Sequence, residues 1–322
     1  MKKAALMLVI TIFLMCGCTK QTASLSFIAM DTYMTLSAEC DEETLEKVQN
    51  EIIRLEDIFS HNENSELNTL NCNNGGVMNE DMELLLKKSL EYALLTEGAF
   101  NPAMYDIISL WDILNMTQVP SDDEISAALK SCDYTKITVE NSNAALNGAK
   151  LDFGGIAKGY ASDKAVELLK SEGVTQAVLS LGGNIAVIGN KNGSGYNVGI
   201  VSPVDNGNAA TLKVSDCFVV TSGSYQRYVD IDGVRYHHIF GKDGYPADNE
   251  LVSVTVVGSN GTYCDAISTA LFVMGLDNAI EFVNSDESID AVFITKDNRI
   301  LVSDGLVSKF TLVSEDFTYE KI

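Results

Sequence analysis

Apolar residues recur at intervals of three and four in several stretches of the chain, which is the spacing of helices that bury one face. The clearest case follows Asp41, whose side chain suits a helix N-cap, and the predicted helix runs to Phe59. Ser121 and Glu124 form a capping-box pattern before a helix that reaches residue 131. Further helices are predicted over residues 65–67, 80–96, 161–169, 263–274 and 277–284.

Strict alternation of apolar and polar residues over positions 32–39 predicts a half-buried strand. From residue 135 onward strands dominate, and a hairpin is predicted over the turn Asp232-Gly233. Because the strands cluster around the helix at 161–169 rather than alternating with helices, the pattern predicts an α+β fold and not a doubly wound parallel sheet. The predicted strands cover residues 136–139, 144–146, 176–181, 185–188, 197–201, 211–221, 225–230, 235–240 and 251–257.

The first residues have the form of an export signal. A short basic start is followed by the apolar run 4–15, which is too short to span a bilayer comfortably. Directly after the run, Gly17-Cys18 resembles a bacterial lipobox and predicts cleavage before Cys18 and lipidation of its thiol. An ordinary secretory signal is the alternative. We expect a signal peptide at 1–17, a tether at 18–26 and a single domain at 27–322, anchored by lipid to the plasma membrane and facing the exterior or the periplasm.

Charge narrows the classes of ligand. The chain has 45 acidic and 22 basic residues, so nucleic acid is excluded as a partner because phosphate-backbone binding needs basic surface. An anionic ligand would have to be held by helix ends, isolated lysines or a bound metal ion. The seven cysteines show no CxxC or Cys/His spacing for zinc and are too scattered to predict a disulfide framework.

The segment from Leu151 to Tyr160 combines an acid, two consecutive glycines and a lysine at the start of a helix. Glycines let backbone amides approach a ligand closely, and a helix N-terminus favours an anion. This segment is therefore a candidate phosphate site. The alternative is a tight strand-to-helix turn that carries a surface lysine.

Two other pairs of residues suit chemistry. Asp265 and Thr269 are four apart at the start of a predicted helix, so they share a face and could supply oxygen ligands to Mg²⁺; alternatively they are a helix-start charge and a filler residue. His237 and His238 are adjacent on a predicted strand and point to opposite faces, so at most one of them serves a given site. An imidazole there could transfer a proton, while the alternative is that one histidine packs and the other is solvated.

Eight short motifs follow one another along nearly the whole chain after the leader. They are Met30-Asp31-Thr32, Phe59-Ser60 with Ser65-Glu66-Leu67 and Asn71, Gly98-Ala99-Phe100-Asn101-Pro102, residues 151–160, Leu181-Gly182-Gly183, Thr221-Ser222-Gly223, His237-His238-Ile239, and residues 265–270. Each motif is short, but together and in this order they resemble the ApbE-type family of FAD:protein FMN transferases.

The resemblance implies an ApbE-like, T-fold-related structure with a mixed or antiparallel sheet core and flanking helices. It also implies a Mg²⁺-dependent transferase that moves the FMN moiety of FAD onto a threonine hydroxyl of an acceptor flavoprotein and releases AMP. The acceptor would be an electron-transport subunit or a protein with an FMN-binding domain. Two alternatives stay open: a Mg²⁺-dependent pyrophosphatase that splits FAD into FMN and AMP, and a non-enzymatic FAD-binding lipoprotein.

The resemblance also implies roles for individual residues. Asp265, Thr269 and the Gly155 carbonyl would bind the metal ion. Apart from the resemblance, an incoming threonine hydroxyl must lose its proton, and we predict His238 as the base that takes it, with Asp152 as second choice. The sequence departs from the family at Asp31, His61, Gly241 and Lys242, where His61 stands near a usual aromatic position. The residues expected to contact FAD are Met30, His61, Ala99, Phe100, Asn101, Asp152, Lys158, His238 and Ile239.

Overall fold

The structure is a computed structural model and describes residues 22–191, 193–205 and 207–322. Cys18 and the expected signal peptide lie outside the described residues, so their predicted roles stay predictions. In the described part of the chain, no helix combines the length and apolar character needed to cross a bilayer.

Helices and strands occur in both halves of the chain. The helices are α1 (Glu42–Phe59), α2 (Glu66–Asn73), α3 (Glu80–Leu95), α4 (Tyr105–Trp111), α5 (Asp122–Ala128), α6 (Ala157–Ser171), α7 (Gly261–Met274) and α8 (Leu276–Ser285). The strands are β1 (Ala23–Ala29), β2 (Thr32–Ala38), β3 (Gly75–Val77), β4 (Thr138–Glu140), β5 (Asn143–Ala145), β6 (Ala177–Leu181), β7 (Asn184–Ile188), β8 (Tyr196–Val201), β9 (Asn208–Val214), β10 (Cys217–Gly223), β11 (Tyr228–Ile231), β12 (Val234–His237), β13 (Leu251–Gly258), β14 (Ile289–Thr295), β15 (Arg299–Val302), β16 (Phe310–Leu312) and β17 (Thr318–Lys321).

A large mixed sheet is the centre of the fold. Among the described residues its nine strands run in the order β1-β2-β6-β7-β10-β13-β14-β15-β17. The β15–β17 pair is parallel, whereas the other neighbouring strands pair antiparallel. The predicted α+β class and mixed sheet with flanking helices are therefore confirmed.

Successive residues on the central strands face different layers, as the pleat of a strand requires. Val220 packs in the main core with α1, α6 and α7, whereas its neighbour Val219 packs in a second cluster under the small sheet β8-β9-β16. The same alternation separates Phe293 from Val292 on β14. The central sheet thus has helices on one face and a small sheet on the other.

The boundary of the predicted tether is wrong. Residues 23–26 were expected to belong to it, but they form the first part of β1, which pairs with β2 from Ala23↔Ala38 onward. Small Ser24 and Ser26 occupy the exposed positions of this edge strand, while Leu25 and Phe27 are half-buried. The polar appearance that indicated a tether is therefore the solvent face of a strand.

The single strand predicted over 211–221 is also wrong. The chain turns at Ser215-Asp216, where Asp216 has a positive φ of 47° and its Oδ1 accepts a hydrogen bond from the Gly189 amide. This turn lets β9 lie in the small sheet and β10 in the central sheet. The predicted hairpin turn at Asp232-Gly233 is confirmed, since β11 and β12 pair across it.

Helices α6 and α7 cross at two glycines. A Cβ on Gly159 would lie 2.3 Å from the Gly261 carbonyl oxygen, so the backbones approach more closely than any side chain allows. Asp163 of α6 reinforces the crossing because its carboxylate accepts hydrogen bonds from the amides of Gly261 and Thr262 at the start of α7. The two helix N-termini are thereby fixed to each other, which positions the residues described next.

Candidate active site

The side chains of Asp152 and Lys158 hydrogen-bond to the backbone of the glycine turn before α6. Asp152 Oδ1 accepts a hydrogen bond of 2.8 Å from the Gly154 amide, and Lys158 Nζ donates to the Gly154 carbonyl at 3.2 Å. Leu151 and Phe153 are buried beneath it, while Gly154 is exposed. The predicted turn therefore presents its backbone to solvent, with Asp152 and Lys158 on either side of it in sequence.

Gly155 lies beside Thr269, one of the two residues with which it was expected to bind a metal ion. A Cβ on Gly155 would be 3.5 Å from Thr269 Oγ1 and 3.4 Å from the ring of Phe100. The backbone at Gly155 therefore runs alongside the hydroxyl of Thr269, although the two residues are 114 positions apart in the sequence. The fold brings together the two motifs that the sequence could only place separately.

Asp265 is a buried carboxylate, 3% exposed. Its Oδ2 accepts a hydrogen bond of 2.8 Å from the Gly159 amide in the first turn of α6, and its Oδ1 accepts one of 3.2 Å from Asn184 Nδ2. Both donors are neutral, and a buried carboxylate is ordinarily paired with a cation or a metal ion. The Gly159 amide of the predicted phosphate site at α6 is therefore not free for a phosphate, because it donates to Asp265.

The atoms around Asp265 suit a hard cation. The Asp265 carboxylate, the Thr269 hydroxyl and the Gly155 backbone are oxygen donors of the kind that Mg²⁺ prefers. In the described ranges no three His, Cys, Asp or Glu side chains form a metal-binding group. A cation here would accordingly use one carboxylate, a hydroxyl and a carbonyl, and would take its remaining oxygens from water or a substrate phosphate.

Hydroxyl groups surround Thr269 and were not predicted to have a role. Ser222 Oγ lies 3.2 Å from Thr269 Oγ1 and 2.9 Å from Ser268 Oγ. If the Thr269 hydroxyl donates its hydrogen bond to Ser222, the lone pairs of Thr269 Oγ1 stay available for a cation. The motif Thr221-Ser222-Gly223 was the sequence signal, but nothing in it indicated contact with α7.

The two histidines have different environments. His237 uses both ring nitrogens within the protein, because Nε2 is 3.1 Å from the Ala247 carbonyl and Nδ1 accepts from the Ile239 amide at 3.3 Å. His238 Nδ1 is 3.2 Å from the Arg227 carbonyl, which can only accept. Nδ1 of His238 therefore carries the hydrogen, and Nε2 keeps the lone pair that a general base needs.

Burial lowers the pKa of His238 to about 4, and the positive charges of Arg227 and Lys158 act in the same direction. His238 is consequently neutral at pH 7, with its lone pair present. Burial lowers the pKa of His237 as well.

Asp152, the second choice for a base, is engaged on both carboxylate oxygens. Oδ1 accepts from Gly154, and Oδ2 is 2.9 Å from His61 Nε2. The ring of His61 packs against Tyr105, with centroids 4.4 Å apart. Tyr105 was missed by the sequence reasoning, since it lies beyond the Asn101-Pro102 motif on α4, with no local pattern to single it out.

The remaining expected FAD contacts differ in accessibility. The Met30 amide donates to Glu56 at 2.8 Å, and Arg227 donates to the Asp31 carbonyl at 3.0 Å, which links this turn to the His238 segment. Met30 is half-buried. Ile239 is buried, 5% exposed. The Asn101 side chain is engaged within the protein, since it donates to the Cys132 carbonyl after α5 and accepts from the Ala103 amide of its own loop.

A cleft of about 970 Å³ lies between the end of α3, the loop at 241–249 and the α7–α8 corner. Ala99 and Ala247 line it, as does Lys242. This volume falls in the range of small-molecule sites. Of the residues expected to contact FAD, all of which the structure describes, Ala99 alone lines the cleft, and Asp265 and Thr269 do not.

Fold and site together define an α+β protein in which a buried carboxylate and a hydroxyl lie beside a glycine turn that carries a lysine, an arrangement suited to phosphate chemistry. The chain matches the model of the ApbE family over residues 30–293, and it belongs to that family.

Characterised relatives extend over most of the chain. The FAD:protein FMN transferase of Treponema pallidum is 35% identical over 306 residues, which is 86% of this chain and 84% of the relative. The FAD:protein FMN transferase of Klebsiella pneumoniae is 33% identical and covers 66% of this chain and 68% of its own.

Two solved structures share the fold. The ApbE protein of Thermotoga maritima superimposes with a TM-score of 0.81 at 30% identity, covering 88% of this chain and 98% of that one. The flavin transferase ApbE of Vibrio cholerae gives a TM-score of 0.77 at 25% identity, with 92% of this chain and 98% of that chain covered.

Proposed function

We propose that this protein is an FAD:protein FMN transferase that uses Mg²⁺ to move the FMN moiety of FAD onto a threonine hydroxyl of an acceptor flavoprotein, with release of AMP. The observation that carries the proposal is the meeting of Gly155, Asp265 and Thr269 at the α6–α7 crossing. Membership of the ApbE family and the names of its relatives support it.

The chain's own residues account for most of the positioning. Lys158 brings a positive charge to a strongly acidic protein, next to the backbone of the glycine turn. A divalent cation, when bound, would neutralise charge on the diphosphate as the bond between the two phosphates breaks. Asp265, held by Gly159 and Asn184, and Thr269, held by Ser222, would bind that cation together with the Gly155 carbonyl.

His238 is the proposed acceptor of the threonine proton. Its Nδ1–H is fixed on the Arg227 carbonyl, so Nε2 is the basic atom. Because the pKa is lowered to about 4, the imidazole is a weak base that is already deprotonated at neutral pH. Asp152 is less suited to this task since both of its oxygens are engaged.

The function is tested by incubating the purified protein with FAD, MgCl₂ and an FMN-binding-domain acceptor. We expect the acceptor to become fluorescent on a denaturing gel and to gain the mass of one FMN group, while AMP appears in equal amount. The acceptor with its target threonine changed to alanine is the control and should stay unlabelled.

Other outcomes separate the alternatives. Release of free FMN and AMP with an unlabelled acceptor would favour the FAD pyrophosphatase. Tight FAD binding with no Mg²⁺-dependent turnover would favour a flavin-binding protein. The buried Asp265–Thr269 cluster argues against the latter, because storage of FAD does not require a cation site.

A lipid anchor on Cys18 at the outer face of the plasma membrane is part of the proposal. The apolar run and the Gly17-Cys18 junction support it. Expression of the full chain with a labelled fatty acid should give a labelled membrane-bound protein, and Cys18→Ala should release the protein unlabelled. A labelled C18A variant would contradict the assignment.

A further inference from the structure

Asn184 is a polar residue in an apolar part of the sheet. It follows the Gly182-Gly183 turn, opens β7 and pairs with Leu181 on β6 and Val220 on β10. Its side chain is 2% exposed. An amide at such a position must find partners within the protein or leave buried polar atoms unpaired.

One end of this amide is paired and the other is not. Nδ2 donates to Asp265 Oδ1 at 3.2 Å, while Oδ1 has no hydrogen-bond partner among the residues that the structure describes. The orientation is fixed, because rotating the amide would place its oxygen against a carboxylate oxygen. An unpaired buried acceptor costs roughly 1–3 kcal/mol, so its retention calls for a partner that is absent from the chain itself.

That partner is identified by the surroundings of Asn184. Its amide is hydrogen-bonded to the carboxylate of the cation cluster, where Thr269 and Gly155 also lie. Mg²⁺ accepts amide oxygens as ligands and retains waters that donate hydrogen bonds to nearby acceptors. Either contact would satisfy Oδ1.

We infer that Asn184 is a member of the cation site: its Nδ2 orients the Asp265 carboxylate, and its Oδ1 binds the cation directly or accepts a hydrogen bond from a water on it. Asn184 is therefore a positioning residue for the reaction. The inference rests on the proposed function for the identity of the cation, yet it concerns binding of Mg²⁺ alone. It can be tested in the absence of FAD and acceptor.

The experiment measures the melting temperature across a Mg²⁺ titration for the wild-type protein, Asn184→Leu and Asn184→Asp. Asn184→Leu removes both amide functions at similar volume. We expect it to melt close to wild type without Mg²⁺ but to need roughly ten to a hundred times more Mg²⁺ for half of the stabilisation, the usual size of effect for residues that orient metal ligands.

Asn184→Asp should lower the melting temperature without Mg²⁺ but increase the stabilisation that Mg²⁺ provides. It places a second carboxylate beside Asp265, so the protein should melt lower without Mg²⁺ and gain more from its addition than wild type. A merely structural role would lower the melting temperature equally at every Mg²⁺ concentration. Asn184→Asp also keeps the test valid if Asn184→Leu does not fold.

Ser89 provides a matched control, since its Oγ is also buried and unpaired in the described structure, on α3 outside the cluster. Ser89→Ala should leave the Mg²⁺ dependence unchanged. The inference is overturned if wild type gains no stability from Mg²⁺, or if both Asn184 variants keep its half-saturation. Failure of the transferase proposal would instead appear as intact Mg²⁺ binding without FMN transfer.

Discussion

The two halves of the candidate site are held in different ways. The helix half consists of Gly155, Asp265 and Thr269 at the α6–α7 crossing, where backbone meets backbone and Asp265 is buried. The hairpin half consists of Arg227 and His238, which flank the β11–β12 hairpin and are joined through the Arg227 carbonyl. The strands of that hairpin are largely exposed.

This difference matches the chemistry expected of each half. Oxygen ligands of a small cation must keep nearly fixed geometry, which a close-packed helix crossing provides. A proton acceptor needs a lone pair in the right tautomer, and a single backbone carbonyl can fix that. Changes to the helix half should therefore disturb fold and cation binding together, whereas changes to the hairpin half should disturb the reaction alone.

The largest effect on the stability of the fold is expected from Gly159→Val. The new Cβ would fall 2.3 Å from the Gly261 carbonyl oxygen, which is backbone and can move only if the helices separate. We expect a loss of about 3 kcal/mol or more in the free energy of unfolding, measured by urea denaturation. Gly233→Asn is the control, because a Cβ there meets nothing within 4 Å and Asn tolerates its positive φ of 80°. Equal stability of G159V and wild type would contradict the close approach of the α6 and α7 backbones at Gly159 and Gly261.

Asp265→Asn tests the helix half without a change of volume. The loss of its charge should lower the transfer rate by roughly a thousandfold, since a catalytic cation supplies several kcal/mol of charge stabilisation. Steady-state labelling of the acceptor measures this. Asp163→Asn is the matched control: it weakens the cap on α7 and should lower stability, yet leave the Mg²⁺ requirement near that of wild type.

His238→Gln tests the hairpin half. We expect the transfer rate to fall about a hundredfold, near the lower end for general bases because the imidazole is only weakly basic. The melting temperature should change little, because the β11–β12 hairpin beside His238 is largely exposed. His237→Gln should behave in the opposite way, with a lower melting temperature and a smaller effect on rate, because both of its ring nitrogens are engaged within the fold. If His237→Gln lowered the rate more than His238→Gln did, His237 would be the base instead of His238.

The pH dependence sharpens the same assignment. The pKa of folded His238 is about 4, below its value of 6.5 in the unfolded chain, so kcat/KM should show no step near pH 6.5 and should fall only as the pH approaches 4. The stabilising contribution of neutral His238 is fully present above pH 6.5 and is lost as the pH falls from 6.5 toward 4. A histidine-dependent step near pH 6.5, absent in H238Q, would contradict the buried setting.

The smallest effect is expected from Tyr105→Leu. Removing the ring that packs on His61 should weaken FAD binding by a few fold, as an aromatic contact contributes roughly 0.5–1.5 kcal/mol. Fluorescence titration with FAD measures the change. Tyr228→Leu, which removes a ring packed on Arg235 in the hairpin, should leave FAD affinity unaltered. Equal losses in the two variants would argue against a specific role for Tyr105.

Local signals predicted much of the fold. Caps at Asp41 and Ser121 marked helix starts correctly because their hydrogen bonds are formed within three residues. The first strand was missed because its exposed positions carry serines, and the break at Asp216 was missed because apolar residues continue on both sides. Those errors arise where tertiary pairing, rather than local pattern, decides the structure.

The site was predictable only within each motif. The i,i+4 spacing of Asp265 and Thr269 identified a shared helix face, but no pattern connects Asp265 with Asn184, whose contact spans 81 residues. The same holds for Tyr105 beside His61 and for Ser222 beside Thr269. These contacts depend on which strands become neighbours and on where α6 crosses α7.

With the proposed lipid anchor on Cys18, the early start of β1 would limit how far from the membrane the protein can act. Between Cys18 and Ala23 an extended chain spans at most about 18 Å, and β1 adds about 20 Å before the turn at Met30-Asp31 is reached. A protein fixed by Cys18 would therefore keep this turn within about 40 Å of the lipid surface. Acceptors whose threonine stands farther out would be beyond its range, which makes height above the membrane a criterion for choosing partners.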